Sequence, residues 1–180
     1  MTPVTFRSTC EAIRADLARH RVCGLMATFK ALLFNLPFQV VLSYRMHRFL
    51  SHRSFLRFSL LQILISRWQV TSGNCQLSPK ADIGGGLLLP HPLGVVVGIG
   101  CRIGRGVTLY QGVTLGADGG GAYPELGDEV TIYAQSCVVG HVHLGSQSVL
   151  GACSFLNQDL PPGSVAAGVP ARLLESRGTR

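Results

Sequence analysis

Residues 126–156 read Leu126-Gly-Asp-Glu-Val-Thr-Ile132-Tyr-Ala-Gln-Ser-Cys-Val138-Val-Gly-His-Val-His-Leu144-Gly-Ser-Gln-Ser-Val-Leu150-Gly-Ala-Cys-Ser-Phe-Leu156, with an aliphatic residue at every sixth place. Traced outward, the same register takes in Leu77, Ile83, Leu89, Val97, Ile103, Leu109 and Leu115, thirteen units in all. A repeat of fixed period decides the fold before any single motif does. The fifth place of most units is small or aliphatic (Ala81, Leu87, Cys101, Val107, Val113, Val130, Ser136, Val142, Ser148, Ser154). One aliphatic and one smaller inward side chain per six residues describe a narrow parallel β-helix whose coil is a triangle, three units to a turn.

Two breaks interrupt the register. The chain gains two residues between Leu89 and Val97, and between Leu115 and Leu126 it inserts a glycine-rich loop over 117–125. Loops thrown out of a rigid scaffold commonly carry function. This one, Gly116-Ala-Asp-Gly-Gly-Gly121, lacks the Gly-Lys-Ser/Thr ending of a phosphate-binding loop, so a nucleotide-phosphate cradle is not expected.

The first 75 residues are built differently. They hold 10 of the 16 Lys and Arg and 2 of the 9 acidic residues, a balance of +8 against −1 for the rest, and only Gly24 and Gly73 of the 22 glycines. Ile13, Leu17, Met26, Phe29, Leu32 and Leu33 recur at helical spacing. Gly24 to Ser43 has a membrane-like length, but Lys30, Asn35, Pro37 and Gln39 interrupt it, so a buried or interfacial helix is expected. Arg45, Arg48, Arg53 and Arg57 punctuate the apolar runs Phe38–Leu50 and Phe55–Ile65, which reads as amphipathic helices with a basic face. That face is either solvated charge or a surface for anionic lipid. The expected organisation is a helical, basic segment over 1–75, a β-helix over 76–161, and a tail over 162–180. Six scattered cysteines without a Cys-x-x-Cys pair, and no secretory signal, point to a reduced, cytoplasmic protein. Because the surplus charge sits in the leader and leaves the coil near neutral, nucleic acid is not an expected partner.

With three units to a turn, the units opening at Leu89, Leu109, Ile132 and Leu150 stack, and their third residues are His91, Gln111, Ala134 and Ala152. A titratable side chain, an amide and two alanines in a column suit an extended ligand lying toward a base. The alternative is a corner that is small for steric reasons alone. His141 and His143 flank the inward Val142 and point outward, and no third histidine has a matching spacing, so no metal site is expected.

The stretches Gly86-Leu-Leu-Leu-Pro-His-Pro-Leu-Gly-Val-Val-Val-Gly98, Gln111-Gly-Val-Thr-Leu-Gly116 and Ala166-Ala-Gly-Val-Pro-Ala-Arg172 resemble, in order, landmarks of the serine acetyltransferases. That family lies within the hexapeptide-repeat acyltransferases. Ser43-Tyr-Arg-Met-His-Arg-Phe-Leu50 resembles the end of its helical domain. The resemblance implies a left-handed β-helix, a homotrimer with sites between neighbouring subunits, and acetyl-CoA as donor. His91 matches the catalytic histidine, the general base. Gly116, Ala117, Ala134, Gly151 and Ala152 match donor-binding positions, and Arg172 is a contact for the CoA phosphates.

The chain departs from the family where the acceptor binds. Pro90 stands where the family has Asp before the histidine, Gln76 where it has another Asp, and Ala122 and Tyr123 where its loop has Arg-His. An amino acid needs opposite charges or ordered dipoles for its ammonium and carboxylate. What surrounds His91 by this reading is Tyr110, Gln111, Tyr123 and Pro92, a neutral surface that suits a sugar. The leading expectation is therefore direct acetyl transfer to a saccharide hydroxyl of a surface polysaccharide or its precursor, at the inner membrane face if the basic leader touches lipid. Serine O-acetylation is the alternative, and a non-catalytic assembly module the third reading.

Overall fold

The computed structural model describes residues 4–22, 24–52 and 59–174. Cys23, Arg53, Phe55 and Arg57 lie outside the described residues. Helices α1 (Phe6–Arg19), α2 (Leu25–Phe34), α3 (Leu36–Ser51) and α4 (Ser59–Thr71) come first. Thr5 caps α1, its side chain accepting from the Ser8 N–H, and Asn35 caps α3, its side chain accepting from the Phe38 N–H with Pro37 in the first turn.

Short strands then wind as a coil. The first turn holds β1 (Gln76–Leu77), β2 (Asp82–Ile83) and a bridge at Leu88; the second β3 (Val96–Val97), β4 (Arg102–Ile103) and β5 (Thr108–Leu109). The third holds β6 (Thr114–Gly116), β7 (Glu125–Leu126) and β8 (Thr131–Ile132); the fourth β9 (Cys137–Val139), β10 (His143–Leu144) and β11 (Val149–Leu150). β12 (Phe155–Leu156), a bridge at Leu160 and β13 (Val165–Gly168) make the fifth, and β14 (Ala171–Leu173) returns antiparallel to β13. The first strands of successive turns stack in parallel as face 1, the second as face 2 and the third as face 3. The result is a left-handed parallel β-helix of about five turns. All thirteen aliphatic openers are buried, none more than 5% exposed, and every fifth-place residue named above is buried beside them. The loop over 117–125 skips no face, since Ile103 pairs with Leu126 and Leu115 with Val138.

The helices close the open end of the first turn, whose outward backbone groups have no preceding strand to meet. On α3, Val40, Val41 and Tyr44 enter the core of the coil. The Tyr44 hydroxyl donates to the Ala81 carbonyl (2.8 Å) and accepts from the Ile83 N–H (3.3 Å). Arg45 forks onto Asp16 of α1 (2.9 and 3.1 Å) and donates to the carbonyls of Ile83 (2.5 Å) and Gly84 (2.6 Å). Asp16 accepts from the N–H groups of Gly86 (2.7 Å) and Leu87 (3.1 Å), and Arg48 reaches Asp82 (2.7 Å) and the Ala81 carbonyl. Arg45 and Arg48 are 4% and 6% exposed. This corrects the expected basic face: its two described arginines are spent on the coil, because the first turn offers carbonyls that a solvated arginine would leave bare. The stretch from Gly24 to Ser43 is likewise two helices, α2 and α3, bent by 91° at their junction. No single helix among the described residues is long and apolar enough to cross a membrane.

Candidate active site

The corner between faces 3 and 1 carries the expected column. Leu109 pairs with Ile132 and Ile132 with Leu150, which stacks Gln111, Ala134 and Ala152 two residues further on. Their corner is continuous in hydrogen bonds: the Gln111 carbonyl accepts from the Gln135 N–H (2.9 Å) and the Ala134 carbonyl from the Cys153 N–H (2.8 Å). The chain turns there through left-handed backbone at Gly112 (φ 68°), Gln135 (φ 61°) and Cys153 (φ 54°).

In the first turn the ladder position belongs to Leu93 rather than His91, since the Leu93 carbonyl accepts from the Gly112 N–H (2.8 Å). The two extra residues lift Pro90-His91-Pro92 off the ladder and leave His91 exposed. The excursion is pinned. Prolines flank the histidine, Pro92 is buried with its carbonyl accepting from the Cys75 thiol (2.9 Å), the Leu93 N–H closes back on the His91 carbonyl (2.8 Å), and the Gly94 N–H reaches the Asn74 carbonyl (2.7 Å). Fixing the backbone on both sides of a side chain limits what must be ordered before it can act.

Around the column, the Gln111 Oε1 is buried and has no partner among the described residues. One residue earlier on face 3, Tyr110 stacks on Tyr133, ring centroids 4.9 Å apart and planes 20° apart. Tyr133 is exposed and extends the aromatic surface. Nothing in the hexapeptide pattern marked it; the signal was its second place in the unit below Tyr110. Gly151 lies beneath Ala167, where a Cβ would come within 2.8 Å of the Ala167 methyl. Arg172, exposed on β14, pairs with that same Ala167, so the arginine stands at the far end of the column.

Gly116, Ala117 and Tyr123 lie elsewhere, at the corner between faces 1 and 2. Asp118 organises their loop, its carboxylate accepting from the N–H groups of Gly120 (2.9 Å) and Ala122 (3.0 Å). The Tyr123 ring covers Gly98 and Gly100; a Cβ at either would sit within 2.4 Å of the ring. Within one chain, therefore, Tyr123 and Ala117 do not share a corner with His91, Gln111, Ala134 and Ala152.

His141 and His143 are exposed on either side of the buried Val142, as their alternation requires. The five described cysteines are free. Burial raises the thiol pKa of Cys75 and of Cys137, and pushes Cys101 up to about 11, which keeps these three protonated near neutral pH.

No protein-family model matches the chain. It is 40% identical over 108 residues to the serine acetyltransferase of Staphylococcus aureus, an alignment covering 58% of this chain and 51% of that one. The chain thus spans about half the length of the curated relatives it matches. Among solved structures it resembles soybean serine acetyltransferase complexed with serine (TM-score 0.82, 31% identity, 93% of this chain and 70% of that one). A serine acetyltransferase in complex with CoA is similar (TM-score 0.80, 29% identity, 94% and 71% covered). So is the serine-bound enzyme of Neisseria gonorrhoeae (TM-score 0.82, 26% identity, 94% and 70% covered).

Proposed function

The chain belongs to the serine acetyltransferase family, and from that premise we propose that it is an acetyl-CoA-dependent O-acetyltransferase with His91 as general base and serine as acceptor. A neutral hydroxyl attacks a thioester poorly, and an imidazole with a reference pKa of about 6.5 can take its proton at neutral pH. As the oxygen bonds to the thioester carbon, His91 accepts the hydroxyl proton. Collapse of the tetrahedral intermediate breaks the carbon–sulfur bond, and the imidazolium returns the proton to the departing CoA thiolate. Transfer is direct. What supports that reading is that none of the six cysteines occupies the position of His91 or Gln111.

The single observation that carries the proposal is the register that stacks Gln111, Ala134 and Ala152 beside the pinned His91. The CoA arm lies along Ala134, Gly151 and Ala152, with Arg172 toward its phosphates. Gly116, Ala117 and Tyr123 then belong to the same site only if a neighbouring copy presents its other corner, which makes the working unit a homotrimer. Purified protein given acetyl-CoA and serine should release free CoA, and His91→Ala should lower that rate by about 10² to 10⁴.

The saccharide acceptor remains a second reading because of one observation, the Tyr110–Tyr133 stack beside the uncharged Gln111 and Ala134. Pyranoses present an apolar face to aromatic rings and hydroxyls to amides such as Gln111. Failure to turn over serine, together with His91-dependent acetylation of an oligosaccharide, would decide for the sugar.

A further inference from the structure

We propose that α2 is a membrane-surface helix that lays its outward side chains into the interfacial layer of an anionic phospholipid bilayer. Ordinary surface helices turn bulky apolar residues inward. This one is inverted. Leu25, Met26, Phe29, Leu32 and Leu33 fall within a sector of about 120° at 100° per residue, and all are exposed, Leu25 to 93% and Met26 to 70%. Its inner side presents Ala27, Thr28 and Ala31, the last only 5% exposed, and Phe34, outside the sector at the helix end, is itself 83% exposed.

The geometry specifies lying on the bilayer rather than crossing it. Ten residues of helix span about 15 Å, half of a hydrocarbon core of about 30 Å. Beyond Phe34 the chain turns by 91° into α3, whose Phe38, Val40, Val41 and Tyr44 are buried in the protein. α2 therefore ends where the body of the protein begins.

Charge selects the occupant. No acidic residue occurs between Asp16 and Asp82, a stretch holding nine Lys and Arg. Arg45 and Arg48 are buried against the coil, but Lys30 flanks the apolar stripe and Arg21 precedes the helix, and both are exposed. A second copy meeting this face symmetrically would bring the same cations to the same contact. Anionic lipid supplies the missing sign, and long cationic side chains beside an apolar stripe are what an interfacial helix uses.

The test uses the full chain and vesicles of phosphatidylcholine with or without phosphatidylglycerol, read by co-sedimentation. Binding should require phosphatidylglycerol and weaken with added salt. Phe29→Ser with Leu33→Ser should cut binding tenfold or more, and Lys30→Gln about fivefold. These positions are exposed, so far-ultraviolet circular dichroism should be unchanged, and Lys30→Gln carries the test should the double variant not fold. Equal binding to neutral vesicles, no binding at low salt, or retained binding in both variants would overturn the proposal. So would light scattering showing that the double variant breaks an assembly which the wild type forms without binding lipid.

Discussion

Turn after turn, the coil buries a leucine, isoleucine or valine from each face beside small, uncharged fifth-place residues such as Ala81, Cys101 and Ser136, whereas the junction beneath α3 buries Asp16, Arg45 and Arg48 together. The two regions are stabilised by different physics. In the coil, burial is spread over many equivalent contacts, each worth about 1.5–3 kcal/mol per side chain. At the junction a few ionic groups replace water in one place, and such groups are tolerable only while every partner is present. Damage should therefore be graded in the coil and concentrated at the junction.

The strongest way to break that contrast is Asp16→Ala. It strands the Arg45 guanidinium, 4% exposed, and frees the N–H groups of Gly86 and Leu87. Removing one partner of a buried pair costs about 3–5 kcal/mol. Ile132→Val, in the middle of the coil, should cost about 0.5–1.5 kcal/mol. Urea denaturation of both variants checks the order, and a smaller loss for Asp16→Ala than for Ile132→Val would erase the distinction.

A comparison inside the coil is smaller and sharper. Gly112 sits at φ 68° at a corner, and a Cβ there would come within 2.4 Å of the Gln135 amide. Gly119, in the excluded loop, has nothing within 4 Å of its would-be Cβ. Gly112→Ala should destabilise by about 1–2 kcal/mol through its left-handed backbone, and Gly119→Ala should stay within about 0.5 kcal/mol. Equal thermal shifts for the two would mean that the corner tolerates a side chain as readily as the loop does.

How much of this was legible follows from what a repeat encodes. The aliphatic period specified the three faces, the stacking of Leu109, Ile132 and Leu150, and so the column of Gln111, Ala134 and Ala152. Periodicity says nothing about residues outside it. The two inserted residues were visible as a count, but that Leu93 takes the ladder and His91 stands off it depends on which carbonyl meets the Gly112 N–H. Tyr123 joins His91 only through the family's acceptor loop, which the resemblance aligns with 117–125; within one chain a triangular coil puts the two at different corners, and only a neighbouring copy could bring them together. Arg45 and Arg48 read as a basic face because the open end of the first turn, which absorbs them, has no signature along the chain.

The smallest expected effect concerns acid, and it too falls on the junction. His91, His141 and His143 are exposed on the coil and His52 is exposed at the end of α3, while His47 of α3 is 6% exposed and its Nδ1 has no partner among the described residues. Burial holds His47 below the usual 6.5, and burial also lowers His20, against a smaller opposing pull from Asp16. Above about pH 6.5 both rings are neutral, folded or unfolded. Below it, the unfolded rings take up protons that the folded ones refuse, so stability declines as pH falls toward the folded values. Denaturation midpoints should therefore drop from neutral pH into mild acid, and the drop should shrink in His47→Gln without vanishing, because His20 remains. An unchanged pH slope in that variant would show that His47 does not carry the acid sensitivity of the junction.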